Sequence, residues 1–409
     1  MHAGSHPGMT PNLISVALCS NELSLGGAEQ HILTLLRGLD RSCFRLQLIC
    51  APELAAQINE MVPADVTLIP LELRRATQLS AATRLGHVLK SRRVDILHSH
   101  LFYASLFASP IGKLCGVPVV VETPHVREAW RRGWKACYAI DRVVGRFVDH
   151  YIAVSSANAE YLIREKRIPA SKVTVIHNGC NVCRFHPAHS VPVSLKTSLG
   201  IGHHDPVLVV VARLEVQKGH EVLFEALKIV RRDYPRLHLV CVGEGSIREE
   251  LEAQVLALGL KDWVHFVGFQ SAVADWLALG DVIVLPSLWE GLPIVALEAL
   301  AAAKPLIATS VDGTPEIVIH EETGLTIPPG DVVQLANAIR ELISDPEIRS
   351  RLGHRGRDLV LKHFTEEAQV RKTQELYHRA YERARRTAAP SGRFDSLEDG
   401  NCETAASQV

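Results

Sequence analysis

Residues 282–298 read Val-Ile-Val-Leu-Pro-Ser-Leu-Trp-Glu-Gly-Leu-Pro-Ile-Val-Ala-Leu-Glu: an unbroken apolar run, a short loop, and an apolar stretch bracketed by Glu290 and Glu298. The run Val282 to Leu285 has no polar alternation, so it suits a strand buried on both faces of a parallel sheet. Pro293 is at home in the first turn of a helix, where its missing N–H would be unbonded anyway. A helix is therefore predicted to start near Leu292. Strand, loop, helix is the repeating unit of a doubly wound α/β fold.

The same unit recurs in both directions. Upstream, apolar runs stand at Leu13 to Leu18, Phe44 to Cys50, Val66 to Leu71, Asp95 to His98, Val117 to Val121, Tyr151 to Val154 and Val173 to Ile176. A second series follows at Val207 to Ala212, Leu237 to Val242, Val264 to Val267, Val282 to Leu285, Leu306 to Thr309 and Leu325 to Ile327. Between them, 184–206 is rich in Pro and Gly and poor in large apolar residues, as an interdomain linker is. The chain is accordingly divided into a polar N-terminus (1–11), an α/β domain (12–185), a second α/β domain (186–364), a helix (365–386) and a polar tail expected to be disordered (387–409).

Bulk properties agree with two folded domains. The 409 residues are 47 % apolar and 22 % charged, with a formal net charge of −1. This excludes a disordered chain and gives no long-range field to gather nucleic acid. Nine scattered cysteines read as reduced core thiols and point to the cytoplasm. No apolar run approaches the about 20 residues of a membrane-spanning helix.

In a doubly wound sheet, ligands gather beyond the carboxyl ends of the strands, and four groups of residues fall there. Gly26 and Gly27 open a helix after the first strand, where backbone can approach a phosphate and meet it with free N–H groups. Arg213 and Lys218 follow the strand at Val207 and could neutralise a diphosphate as its charge develops. Glu290 and Glu298 sit about 8 Å of helical rise apart, with free amides between them. Glu298 could accept both vicinal hydroxyls of a ribose, and Glu290 sugar hydroxyls. Finally, His98 and His100 point the same way from a strand end and His125 follows another strand, where it is expected to overhang the cleft. The pair His98 and His100 lacks a third ligand at an obvious spacing, so no metal is expected.

Taken together, Gly26-Gly27-Ala28-Glu29, Arg213 with Lys218, and the two glutamates eight apart resemble glycosyltransferase family 4 with the GT-B fold, over roughly Leu13 to Tyr377. Supporting pieces are Ile176-His-Asn178-Gly179, Val242-Gly243-Glu-Gly245 and Val267-Gly268-Phe269. The resemblance implies two facing Rossmann-like domains, with a C-terminal helix crossing back to the first, that close around a nucleotide diphosphate sugar. It implies that Arg213 and Lys218 hold the diphosphate, Glu298 the ribose, and Glu290 with the backbone of Gly291, Leu292, Pro293 and Ile294 the sugar. Val267 and Gly268 would meet the base, Gly27 would approach the phosphate from the opposite domain, and His125 would lie near the sugar. His100, Gly26, Gly243 and Asn178 are secondary candidates. Configuration would be retained, with no cofactor beyond the nucleotide sugar, of UDP type on family frequency, and no metal; the chain has no Asp-x-Asp.

The acceptor expected is a glycan or a polyprenyl-linked saccharide. Segment 127–148 interleaves Arg127, Arg131, Arg132, Lys135, Arg142 and Arg146 with Trp130, Trp134 and Tyr138. It could lie on an anionic membrane at the inner face or pack as an ordinary basic helix. Competing readings are a nucleotide-sugar epimerase of the same architecture and a non-catalytic sugar-nucleotide-binding protein. An NAD(P)-dependent oxidoreductase is disfavoured because Arg248 takes the third glycine position of the Val242-Gly243 loop.

Overall fold

A computed structural model describes residues 13–23, 25–72, 79–126, 137–189 and 193–388. The first half is a parallel sheet of seven strands: β1 (Ile14–Cys19), β2 (Phe44–Cys50), β3 (Thr67–Pro70), β4 (Ile96–His100), β5 (Val119–Thr123), β6 (His150–Ala153) and β7 (Val173–Val175). Their spatial order is β3-β2-β1-β4-β5-β6-β7. Helices α1 (Gly27–Gly38), α2 (Pro52–Ile58), α3 (Leu79–Ser91), α4 (Phe102–Leu114), α5 (Cys137–Val144) and α6 (Ser156–Glu160) connect them. Successive residues of the buried strands serve opposite faces. Val16, Leu18, Ile96 and Val121 join one apolar cluster, while Ala17, Leu97 and Val120 join another.

After the short helix α7 (Val193–Ser198), the second half repeats the plan with six parallel strands. They are β8 (Val207–Val211), β9 (His238–Val242), β10 (Val264–Gly268), β11 (Val282–Leu285), β12 (Leu306–Thr309) and β13 (Leu325–Ile327), in the order β10-β9-β8-β11-β12-β13. Helices α8 (His220–Val230), α9 (Arg248–Ala257), α10 (Val273–Leu279), α11 (Ile294–Ala301), α12 (Val332–Ser344) and α13 (Pro346–His363) cover it. In each sheet the strand order reverses beside the first strand, between β1 and β4 and between β8 and β11. Loops splay apart at those two points and leave a crevice for a ligand.

Helix α14 (Glu366–Ala388) leaves the second half and returns to the first. Its Val370, Leu376, Tyr377 and Ala380 are buried in the same apolar cluster as Val16 and Leu18. The expected GT-B architecture of two facing sheets with a crossing helix is therefore present. Several boundaries shift. The strand expected to stop at His98 runs to His100, and α14 continues to Ala388, beyond the expected end at 386. Helix α11 starts at Ile294 and not near Leu292, because Pro293 is its N-cap: at φ −69°, ψ 116° it is extended, and its carbonyl accepts the Ala296 N–H at 3.1 Å. The N-terminus and almost all of the tail lie outside the described residues, as do 127–136 with Trp130 and Trp134. In the described remainder of that basic segment Val144 and Val148 are buried while Ile140 and Val143 are exposed. Among the described residues no helix is long and apolar enough to cross a membrane.

Candidate active site

At the second half's switch point, two loops are clamped together before any side chain enters. Gly219 has φ +65°, and a Cβ there would stand 2.2 Å from the Pro286 carbonyl oxygen, so only glycine lets the β8 loop lie against the β11 loop. Leu288 N–H donates to the Gln217 carbonyl and Gln217 Nε2 to the Trp289 carbonyl, both at 2.8 Å. This seam delivers Lys218 Nζ to Glu290 Oε1 at 2.5 Å. Ser287 Oγ donates to the same carboxylate oxygen at 2.7 Å, and Glu290 N–H donates to Asp312 Oδ2 at 2.8 Å. Glu290 is buried, and its charge is matched at once by the lysine, as a desolvated carboxylate requires. Arg213, five residues before Lys218, is exposed beside Gly243, whose N–H donates to the Gly268 carbonyl at 2.9 Å. The predicted base-facing residues Val267 and Gly268 thus adjoin the loop that carries Arg213.

Helix α11 leads away from Glu290 into the space between the halves. Gly27, at the start of α1, faces its first residue: a Cβ on Gly27 would lie 4.0 Å from Ile294 Cδ1. One turn on, Glu298 lines a cavity with Gln30, Thr34, Arg184, Ile294 and Glu366. Burial pushes its carboxyl up to about 7, with Arg184 opposing and Glu366 reinforcing the rise. Glu29 is likewise pushed up to about 7, chiefly by burial and then by Glu22, although Ser20 Oγ and Gly26 N–H donate to it.

The first half meets this edge with histidines. His98 is buried, with Nδ1 2.6 Å from the Tyr377 hydroxyl and Nε2 2.7 Å from Thr123 Oγ1; it ties the crossing helix to the sheet. His100 Nδ1 lies 3.0 Å from His125 Nε2. His125, expected to overhang the cleft, is buried, because the halves meet on top of it: a Cβ on Gly291 would fall 1.7 Å from the His125 carbonyl oxygen. Burial holds His98, His100 and His125 well below the usual histidine range and brings His31 down to about 4. All four rings are neutral at neutral pH.

Three contacts that spacing could not reveal join the halves. Asn178 donates from Nδ2 to the Leu292 carbonyl at 2.9 Å and sets Oδ1 2.9 Å from His31 Nδ1. Glu316, from the loop after β12, accepts from the N–H groups of Ser156 and Ala157 at 3.1 Å each, satisfying the exposed start of α6 in the other half. His177 Nε2 lies 2.9 Å from the same carboxylate. Nothing in the sequence marks Glu316 or His31, since the partners they meet here, Ser156 with Ala157 and Asn178, are more than a hundred residues away. Asn178 had the faint signal of its place in Ile176-His-Asn-Gly179.

Of the predicted residues, Lys218 and Glu290 are paired, Gly291 meets His125, Leu292 meets Asn178, and Gly27 meets Ile294. Glu298 stands one turn farther along α11, and Arg213 is exposed at the rim. A diphosphate seated here would find a lysine, an arginine and the free amides of a helix start, with a carboxylate on either side.

Known proteins share this plan. Residues 25–184 match the family model described as Glycosyltransferase Family 4, and residues 194–359 match that for Glycosyl transferases group 1. The chain is 30 % identical over 310 residues to the "Putative glycosyltransferase EpsD" of Bacillus subtilis, covering 73 % of this chain and 80 % of that one. It is 26 % identical over 363 residues to the Escherichia coli UDP-Gal:alpha-D-GlcNAc-diphosphoundecaprenol alpha-1,3-galactosyltransferase, covering 86 % and 94 %. The crystal structure of Anabaena HepE in complex with UDP-glucose has the same fold, with a TM-score of 0.80 at 20 % identity over 89 % of this chain and 99 % of that one.

Proposed function

The chain belongs to glycosyltransferase family 4, and from that premise we propose that it moves a hexose or N-acetylhexosamine from a UDP-sugar to a glycan or polyprenyl-linked saccharide, with retention of configuration and with no metal bridging the diphosphate. The observation that carries this reading is the Lys218–Glu290 pair at the mouth of β11, next to the amino end of α11 and opposite Gly27. In the proposed reaction the bond between the sugar's anomeric carbon and the diphosphate oxygen breaks, and the electron pair stays on phosphate. Lys218, Arg213 and the α11 amides stabilise that charge as it develops. The acceptor hydroxyl bonds to the anomeric carbon on the face just vacated, and a diphosphate oxygen takes its proton. Glu298 accepts from the ribose hydroxyls. Closure of the halves over His125 keeps water away from a cation that water would also attack.

UDP and the saccharide acceptor are favoured by relatives whose names state them, a UDP-galactose-dependent transferase acting on a diphosphoundecaprenol-linked sugar and a fold neighbour bound to UDP-glucose. The test is a thermal-shift panel of UDP, GDP and ADP, each with and without EDTA, because a nucleotide that binds only the folded state raises the melting point in proportion to its occupancy. UDP should raise it and EDTA should leave the rise intact. Equal silence from all three nucleotides overturns the reading, and a rise abolished by EDTA overturns its metal-free part. Incubating a UDP-sugar without acceptor should yield no epimer; an epimer would favour the competing enzyme.

A further inference from the structure

We infer that His31, His100 and His125 form a binding site for a first-row transition-metal ion of the zinc class. The three come from different elements: His31 from α1, His100 from the last position of β4, and His125 from the loop after β5. They meet because α1 starts beside the switch point where β1 and β4 are neighbours and β5 lies next to β4. One ring nitrogen from each residue lies within 4.8 Å of the other two, and all three side chains are buried.

Two ring nitrogens of this cluster have an unmet need. His31 Nε2 and His100 Nε2 are buried with no hydrogen-bond partner. A polar atom stripped of water without a partner is costly, and two of them facing one cluster point to a missing ligand. The chemistry of the set selects which ligand. Three imidazoles without a carboxylate suit zinc, cobalt, nickel or copper and not magnesium or calcium. Zinc–nitrogen bonds of about 2.0–2.1 Å place tetrahedral ligand atoms about 3.4 Å apart, so a spread of up to 4.8 Å must tighten by up to about 1.4 Å through ring rotation. The rings of His100 and His125 already meet, with His100 Nδ1 3.0 Å from His125 Nε2.

The surroundings hold the ligands as a metal site needs. His31 Nδ1 lies 2.9 Å from Asn178 Oδ1 and 3.0 Å from Gln369 Nε2, and it cannot satisfy both, since a carbonyl takes a proton and an amide N–H a lone pair. Ligation through Nε2 fixes the tautomer: Nδ1 keeps the proton and gives it to Asn178, the usual arrangement behind a metal-bound histidine, and the Gln369 amide turns to another acceptor. His125 sits at φ +47°, a conformation held only where neighbours enforce it, and it fixes the third ring. Three protein ligands leave a fourth position open for water.

The test reads binding and not transfer, so it stands or falls separately from the transferase reading. Chelator-stripped protein is titrated by calorimetry with Zn²⁺, Co²⁺ and Mg²⁺, alongside H31Q and H100Q whose metal-free melting curves are recorded first. Zn²⁺ should bind at one ion per chain, Mg²⁺ not at all, and both variants should weaken Zn²⁺ by about 100-fold or more. Bound Co²⁺ should show the intense visible absorption of a tetrahedral site. Wild-type protein that takes up no stoichiometric Zn²⁺ or gives only the faint octahedral Co²⁺ spectrum overturns the proposal, and the cluster then holds water. Variants that fold and bind Zn²⁺ as tightly as wild type overturn it too, and assign the ion to other histidines. Should the variants fail to fold, the wild-type Co²⁺ spectrum decides.

Discussion

The two strand edges that face each other across the cleft have the same topology and opposite electrostatics. At the edge of the second half, charges are kept: Lys218 and Glu290 form an ion pair at 2.5 Å, and Arg213 is open to solvent. At the edge of the first half, charges are suppressed: four neighbouring histidines are held neutral by burial. A sheet edge with fixed cations can hold an anionic leaving group, whereas a neutral edge can cover it without competing for its charge. The difference teaches that a doubly wound sheet supplies the crevice, and the residues grafted on it decide which side does the electrostatic work.

The sharpest way to break this comparison is to remove charge from the second half. Lys218→Ala should lower kcat of sugar transfer by about 10²–10³, the usual effect of losing one preorganised stabiliser of a developing anion. It also leaves Glu290 buried without its cation, so the far-ultraviolet spectrum and melting point must be checked alongside. Glu290→Gln should cost nearly as much while leaving UDP binding within a few-fold. A transfer rate within a few-fold of wild type for both variants would put the chemistry elsewhere.

A smaller effect sharpens the picture at the ribose. Because burial raises the Glu298 carboxyl to about 7, it gains a proton as pH falls below that value and can no longer accept from two hydroxyls at once. UDP affinity should therefore drop about tenfold from about pH 8 to about pH 6, one decade per pH unit below the group's own value. Glu298→Gln should bind weakly at both pH values with that slope flattened, which separates the carboxyl from the titration of UDP itself. An unchanged slope in the variant would remove Glu298 from the ribose.

Much of this was legible in the sequence, and the reason is local. The runs Phe44 to Cys50, Val282 to Leu285, Leu306 to Thr309 and Leu325 to Ile327 become strands with those same ends, since a short, mostly apolar run has few other uses in an α/β rhythm. Lys218 and Glu290 could be suspected as partners because each follows a central strand, and neighbouring strands bring their loops together. Long-range packing was invisible. His98 could be placed at a strand end pointing the same way as His100, but its partner Tyr377, on a helix that crosses from the other half, could not be read from spacing. His125 looked open, and the close approach of Gly291 covers it. His31 lies mid-helix among apolar residues, where a histidine carries no signal of the two others that flank it in space.

The smallest effect tests whether the halves are held together by a contact of this invisible kind. Burial works against the charge of Glu316, but the bonds from His177, Ser156 N–H and Ala157 N–H outweigh it and hold the carboxyl below its usual range. A carboxyl lowered in the folded state stabilises the fold above the unfolded value, and that stability is lost as pH falls through the folded value. Glu316→Gln keeps the shape but exchanges a charge-assisted helix cap for a weaker neutral one, and the Glu316 side chain is 22 % exposed. The variant should lose about 1 kcal/mol near neutral pH, a fall in melting point of about 1 °C for a chain of this length. Its melting point should converge on that of wild type in acid, where both side chains are uncharged. A gap that persists undiminished below about pH 3 would mean that shape and not charge joins Glu316 to α6.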